Sequence, residues 1–395
     1  MSRVLIVGAG IAGDCLAVFL GRAGWDVTVV EIAPGLRTGG QTVDLRGGSR
    51  EVLAELGLLD EVLTALVPQR GIAWIDDRER RLAAMPVEAF DGRGFVSSEE
   101  LLRTDLARIL HDAAAPLVQY RFADTVERLT STADGVRVHF RSGDAEEFDL
   151  VVGADGAHSR TRGLTFGPEK NFRRPLGLAH AWFSLTEKQD TPTLDGWYLV
   201  HNVPGCRSVE ARPGHRGEQE IGFTFAATDL PARAGRDAAI ELLEREFADV
   251  GWRTAEFLAA ARAAPDFAID TYDQVHLERW SAGRVVLLGD SAWCASPLSG
   301  LGTALALHGA AELAQALASA GVRRHPDALG NALAAYESAL RPRVTAAQKL
   351  LPGRVRMVAP RTALGIRGTA LLMRAGQARL LKPVLERLAE GRGHD

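Results

Sequence analysis

The sequence predicts an α/β chain with two domains of α+β organisation: a parallel-strand domain, an antiparallel sheet inserted into it, and helices at the C-terminal end. Three observations predict this. Short continuous apolar runs ending in glycine recur far apart, at Val4-Leu5-Ile6-Val7, Asp149-Leu150-Val151-Val152-Gly153 and Arg284-Val285-Val286-Leu287-Leu288-Gly289, as expected of parallel strands covered on both faces. Between the second and third lie extended runs separated by turn residues, the pattern of an antiparallel sheet. After the third, the chain turns Ala-rich and helical in pattern.

The first apolar run leads into Gly8-x-Gly10-x-x-Gly13 and a helical stretch with Ile11, Cys15, Leu16, Phe19 and Leu20 on one side. A β-branched strand, Asp26 to Val30, follows and ends in Glu31, completing a βαβ unit of Rossmann type. In such a unit the first glycine permits the turn, the second lets backbone approach a pyrophosphate, and the third lets helix pack on strand. Ile11 and Ala12 lie in the first turn of the helix, whose free N–H groups and partial positive charge suit a phosphate. A carboxylate at Glu31 suits ribose hydroxyls and repels a 2′-phosphate. The expected elements further on are helices at Ser49 to Leu58 and Asp60 to Leu66, and a helix Leu101 to Ala113 capped by Ser97-Ser98-Glu99-Glu100. Strands are expected at Thr125 to Leu129 and Val136 to Phe140. The inserted sheet should hold Leu178 to Leu185, Trp197 to Val200, Ser208 to Ala211 and Glu220 to Ala226, with a helix from Asp237 to Val250.

Composition narrows the function class. The chain has 395 residues, 46% hydrophobic and 24% charged, with net charge −4, which gives no reason to expect nucleic acid or an anionic membrane as partner. Cys15, Cys206 and Cys294 are too dispersed for a disulfide framework or a zinc site, so no metal is expected, and they suit a reducing, cytoplasmic setting. Met1-Ser2-Arg3 runs directly into a strand pattern, so no secretory leader is expected.

Two further motifs choose the cofactor. Asp155-Gly156 lies in the turn after the second apolar run. Gly289-Asp290-Ser291-Ala292 follows the third, and Pro297-Leu298-Ser299-Gly300-Leu301-Gly302 comes next. A carboxylate at Asp290 can hold a ribitol hydroxyl. The Gly300 to Gly302 turn, with Thr303, opens a long helix whose N–H groups can face a ring that becomes anionic, as reduced flavin does. The three motifs in this order predict bound FAD.

With these motifs in place the sequence resembles the single-component, class A flavoprotein monooxygenases, whose members include p-hydroxybenzoate hydroxylase and the tetracycline-degrading enzymes. The resemblance spans Val4 to the C-terminal helices. It implies a discontinuous FAD-binding domain (1–70, 97–166 and 281–345), a substrate-binding sheet domain (71–96 and 167–280) and C-terminal helices (346–395). By the same resemblance Asp44, Gly40 and Arg103 contact FAD, Arg37 meets NADPH, and Ile32 stands where relatives carry an arginine next to Glu31. Trp293 and Ala304 replace polar residues expected close to the flavin. The implied chemistry is hydroxylation of a bulky aromatic or polycyclic substrate by a flavin C4a-hydroperoxide formed from O2. NADPH or NADH would be a transient reductant, because no second G-x-G-x-x-G is present. Baeyer–Villiger or epoxidising chemistry on the same scaffold, or FAD binding without oxygenation, remain open alternatives. Candidate substrate contacts are His180 and Trp182, on one face of a strand, with Glu220 and Phe223. The amphipathic run Leu371 to Leu388 is expected to pack on the flavin domain, and the protein to be a monomer or weak homodimer.

Overall fold

The computed structural model describes residues 3–375 apart from 37–38, 40, 91–95, 133, 189–190, 231–234 and 351. Arg37, Gly40 and most of the run Leu371 to Leu388 therefore lie outside the described residues.

The parallel strands assemble from separated parts of the chain, as their sequence pattern predicts. A six-stranded sheet has the order Ser281–Ala282, Val285–Leu287, Leu150–Gly153, Arg3–Val7, Asp26–Val30, Gln119–Arg121. All neighbours are parallel except the first pair. Alternation along Arg3–Val7 explains why the run is apolar throughout. Val4 and Ile6 face the main core with the helices Ile11–Arg22 and Gly302–Ser319. Leu5 and Val7 face the opposite way, onto Val126, Val138, Phe140 and Phe148 of a three-stranded antiparallel meander. Both faces are covered, so neither can be polar.

The second sheet has seven strands, in the order Ala268–Val275, Arg173–Thr186, Glu218–Ala226, Arg207–Pro213, Trp197–Val203, Gly71–Ile75, Arg81–Pro86. It is antiparallel save for one pair. Trp197–Val203 runs parallel to Gly71–Ile75, because the latter arrives from an earlier part of the chain and is not joined to its neighbour by a hairpin. The helices Arg236–Phe247 and Thr254–Ala263 cover one face. Phe183, Val209, Ala211, Ile221, Phe223 and Phe225 point into that layer with Phe247 and Phe257.

One expected helix start is displaced. Glu100–Leu102 is a strand, paired antiparallel with Thr42–Asp44, and the helix begins at Arg103. Ser97 does not cap that helix: its Oγ accepts from the Glu99 N–H, and its own N–H donates to the Glu100 carboxylate. Tertiary pairing decides the local conformation here over the cap-like sequence.

The glycine turn after Arg3–Val7 is as crowded as the pattern requires. A Cβ at Gly13 would lie 2.0 Å from the Gly8 carbonyl oxygen, and one at Gly8 2.6 Å from the Ala154 oxygen, at a φ of +108°. Gly13→Ala should therefore push helix from strand and lose about 1–3 kcal/mol of stability, measurable by chemical denaturation, with loss of co-purifying FAD.

Candidate active site

The carboxyl ends of the parallel strands meet in one crevice, where ligands of open α/β sheets bind. Gly8 to Gly13 leave the first strand there, Glu31 the second, Ala154 to Gly156 the strand Leu150–Gly153, and Gly289 and Asp290 follow Val285–Leu287. At Gly10, Gly156, Gly300 and Gly302 a Cβ would meet nothing within 4 Å, so backbone lies open to whatever occupies the crevice. Ile11 and Ala12 are buried at the start of the helix Ile11–Arg22. Glu31 is fixed by two backbone N–H groups: Ala9 donates at 2.9 Å and Ala33 at 2.9 Å, one to each carboxylate oxygen. Ile32 is 51% exposed beside it.

Asp290 is exposed where the crevice lies, and the charge of Arg103, the first residue of its helix, acts on it. Desolvation by the surrounding protein raises the Asp290 carboxyl, and Arg103 opposes that rise. Pro297 opens a single 3-10 turn, Pro297–Ser299, and Gly300 adopts a left-handed conformation. Leu301, Gly302 and Thr303 then begin the 18-residue helix Gly302–Ser319. Asp44 pairs with Arg46 at 3.0 Å and lies across the two-stranded ladder from Glu100. Burial raises the Glu100 carboxyl well above the usual range; Arg212 opposes this and Asp44 adds to it.

The Asp155 carboxylate, half-buried, is engaged by its own turn. It accepts from the Ser159 hydroxyl at 2.5 Å, and from the Thr161 N–H and hydroxyl at 2.8 and 3.0 Å, so it organises the start of the helix Arg160–Phe166. Trp293 is turned into a core. It is buried against Trp280, with ring centroids 4.5 Å apart, and against Tyr336. Gly309 makes room for its indole, since a Cβ there would come within 2.8 Å. Trp293 is an aromatic core residue and withdraws nothing from the crevice, whereas Ala304 is buried near Gly47.

The seven-stranded sheet presents its polar face to the two-stranded ladder. Glu220 accepts from the Thr42 N–H at 2.8 Å and from its hydroxyl at 2.6 Å, and Arg212 pairs with Glu100. His180 and Trp182 stack on this face, centroids 5.9 Å apart, with Tyr272 5.8 Å from His180. His180 Nδ1 lies 2.8 Å from the Thr224 hydroxyl, which donates to Glu210 at 2.9 Å. Burial pushes the Glu210 carboxyl up, yet the nearby His180 and the hydroxyls of Ser208, Tyr198 and Thr224 hold it below its ordinary value. Phe223 does not join them. It points to the opposite face and packs on Phe247, centroids 5.0 Å apart, because neighbouring residues of a strand alternate sides.

Sequence reasoning missed two residues that tie the site together. Arg162 is fully buried and donates to the carbonyls of Ser291 at 2.9 Å and Ala157 at 2.6 Å. It thus joins the Asp155-Gly156 turn to the Gly289-Asp290 turn. Ser291 reinforces the join by donating to the Gly153 carbonyl at 2.5 Å. His158 spans outward, with Nδ1 2.8 Å from Glu169 and Nε2 3.0 Å from Asp270 on the other sheet. A lone arginine or histidine beside a motif carries no sequence signal of such partners.

Comparison with known proteins now bears on this crevice. A family model described as "FAD binding domain" matches residues 1–350. An FAD-dependent monooxygenase of Sarocladium schorii, asL6, is 32% identical over 372 residues, covering 88% of this chain and 86% of that protein. The chain belongs to the FAD-binding-domain family of flavin-dependent monooxygenases. An uncharacterized protein of Mycobacterium tuberculosis is 40% identical over 324 residues, covering 81% of this chain and 86% of its own. The crystal structure of tetracycline destructase Tet(51) matches this monooxygenase with a TM-score of 0.78 at 27% identity, over 99% of this chain and 96% of the other. Among the described residues, no helix is long and apolar enough to cross a membrane.

Two outcomes follow for the monooxygenase. Arg162→Met removes the donors that hold the two turns together and should cost about 2 kcal/mol, with weaker FAD retention, both read in a denaturant titration followed by flavin absorbance. The His158 clamp makes part of the stability depend on pH. Its hydrogen bond to Asp270, aided by Glu169 and opposed by burial, raises the His158 imidazole from 6.5 to about 9. A raised folded value means the contribution is complete below pH 6.5 and is lost as pH rises through about 9. The stability difference between wild type and His158→Gln should be largest near pH 6 and shrink toward pH 10. A difference that is flat with pH would refute the clamp.

Proposed function

We propose that this chain is an NAD(P)H- and O2-dependent monooxygenase that hydroxylates a bulky aromatic or polycyclic substrate beneath the polar face of the seven-stranded sheet. The observation that carries the reading is the juxtaposition of two surfaces. The open glycine backbone of the crevice fits FAD, and the sheet face bearing His180 and Trp182 closes over the ladder Thr42–Asp44 and Glu100–Leu102 through Glu220 and Arg212. Likeness to named flavin-dependent monooxygenases supports the same reading.

In this reading Gly8, Gly10, Gly13 and the N-terminus of the helix Ile11–Arg22 receive the FAD pyrophosphate, and Glu31 receives the adenosine ribose. Asp290 with Arg103 would meet the ribityl and phosphate region. Asp44, Gly300, Leu301, Gly302 and Thr303 would border the ring. Gly156 offers backbone there, while Asp155 shapes the turn that carries it. When bound and reduced by a nicotinamide cofactor, FAD supplies the oxygen-transfer chemistry. The protein's own part is to orient and to exclude water. The helix Gly302–Ser319 presents free N–H groups to developing negative charge. Trp182, partly exposed and stacked on the buried His180, offers a flat surface to an aromatic substrate. Glu210, held ionised by three hydroxyls, fixes the imidazole of His180 through Thr224. His180 and Trp182 are proposed to orient substrate; Glu220 serves the joint with Thr42.

The test is oxygen uptake and NADPH or NADH oxidation by FAD-loaded enzyme across a panel of phenols and polycyclic quinones, with mass analysis of products. Ligand-stimulated oxidation with a product one oxygen atom heavier is expected for polycyclic members. Turnover confined to small phenols would remove the bulky-substrate assignment, and no stimulated uptake across the panel would remove the monooxygenase one. Trp182→Ala should raise KM for the accepted substrate by about tenfold, consistent with losing roughly 1.4 kcal/mol of aromatic contact, while FAD content stays unchanged.

A further inference from the structure

The helix Ile11–Arg22, whose N-terminus opens on the crevice, carries one acidic residue in its first turn, Asp14. The Asp14 N–H donates to the Gly10 carbonyl at 2.9 Å, and the residue is 0% exposed. The Tyr120 hydroxyl, on the edge strand Gln119–Arg121, donates to Oδ1 at 2.8 Å. Oδ2 is buried with no hydrogen-bond partner among the described residues, and no cation acts on Asp14 there. Burial without a cation disfavours the charged form of a carboxyl. It raises Asp14 to about 7; the Tyr120 hydrogen bond opposes the rise and Glu31 adds to it.

The groups around Asp14 offer its charge no other relief. Glu31, at the end of the second strand, repels it. Cys15 follows it in the helix, and burial, Asp14 and Glu55 all push that thiol up, so it stays protonated. From the helix Arg103–Ala114, His111 packs on the Tyr120 ring, centroids 4.4 Å apart, while Asp105 lies 3.2 Å from His215 and Arg108 pairs with Asp112. The helix Gly302–Ser319 turns Leu305, Leu307, Ala310 and Leu313 into the shared core, and its His308 is engaged by Gly47 and Arg343. What remains for an ionised Asp14 is the partial positive charge at the start of its own helix. That same charge is what receives a pyrophosphate.

We propose that Asp14 couples FAD binding to a proton: the protein holds FAD with the Asp14 carboxyl neutral and releases it more readily once that proton is lost. Binding takes up one proton from solvent onto Asp14, and no bond of the cofactor changes. A neutral Asp14 leaves the helix end to the phosphates. An ionised one adds a negative charge in the same turn, buried where salt screens it weakly. The bound phosphates in turn hold the proton on Asp14, so its value with FAD lies above that of the free protein. Affinity is therefore level below about pH 7 and falls as pH rises from there toward the FAD-bound value. The coupling rests on the placement of the FAD pyrophosphate at this helix, and not on the oxygen chemistry.

The experiment is FAD release from the FAD-loaded full chain. Diluted protein is equilibrated at pH values from about 6 to about 8.5, and free FAD is separated by ultrafiltration to give Kd. Wild type should bind about tenfold more weakly at the alkaline end than at the acid end. Asp14→Asn keeps the shape and cannot ionise, so its Kd should stay level with pH and near the wild-type acid value. Tyr120→Phe removes the hydrogen bond that favours the ionised form, so the fall in affinity should move to higher pH. Equal slopes in wild type and Asp14→Asn, or a fall moved to lower pH in Tyr120→Phe, overturn the proposal. The Tyr120→Phe comparison decides should Asp14→Asn fail to fold. A wild-type Kd that is level with pH overturns the coupling and leaves the FAD cradle standing. Failure of wild type to retain FAD at any pH overturns both the coupling and the placement of FAD at this helix.

Discussion

The close approach of three backbone segments, at Gly8, Gly13 and Ala154, is the constraint on which the rest of this structure depends. With only 2.0 to 2.6 Å available where side chains would begin, no residue but glycine lets the helix Ile11–Arg22 sit at the end of its strand. That contact places the helix N-terminus, the Glu31 carboxylate and the turn at Gly156 around one crevice. Small shifts there would move every backbone donor at once, because interiors are close-packed and transmit strain.

Around that contact the crevice is held by polar bonds that cross between distant parts of the chain. Arg162 and Ser291 join the two later turns to each other, and Asp155 stiffens the first of them. The seven-stranded sheet is attached separately, through Glu220 to Thr42, Arg212 to Glu100, and His158 to Asp270. These joints are ionic or hydrogen-bonded, unlike the apolar cores within each layer. Buried polar joints of this kind demand a particular alignment, since a misplaced partner leaves charge unpaired. They set the position of the sheet's polar face over the crevice.

Much of the fold was legible because the relevant signals are local. Glycine spacing, apolar runs and strand alternation reflect steric and solvation rules within a few residues, and they located the crevice and the sheet strands. The misreadings occurred where distant partners override local preference. Glu100 to Leu102 carry a helix-cap pattern and form a strand, because Thr42 to Asp44 offer a ladder. Trp293 follows the Gly289-Asp290 motif and turns into an aromatic core with Trp280 and Tyr336. Phe223, one residue from Gly222 and three from Glu220, belongs to the opposite face.

The sequence by itself determined the cofactor-binding architecture. Each glycine motif encodes a turn at a strand end, and Glu31 follows from its place at the end of the second strand. Tertiary structure decided how each motif carboxylate is engaged. Asp290 is exposed under the charge of Arg103, while Asp155 is consumed by Ser159 and Thr161. It also decided that Asp14 lies buried against Tyr120, 106 residues further along the chain. The reason is the same in both cases: the direction of a side chain and the sign of its surroundings depend on neighbours far away in the chain, and only packing brings them within range.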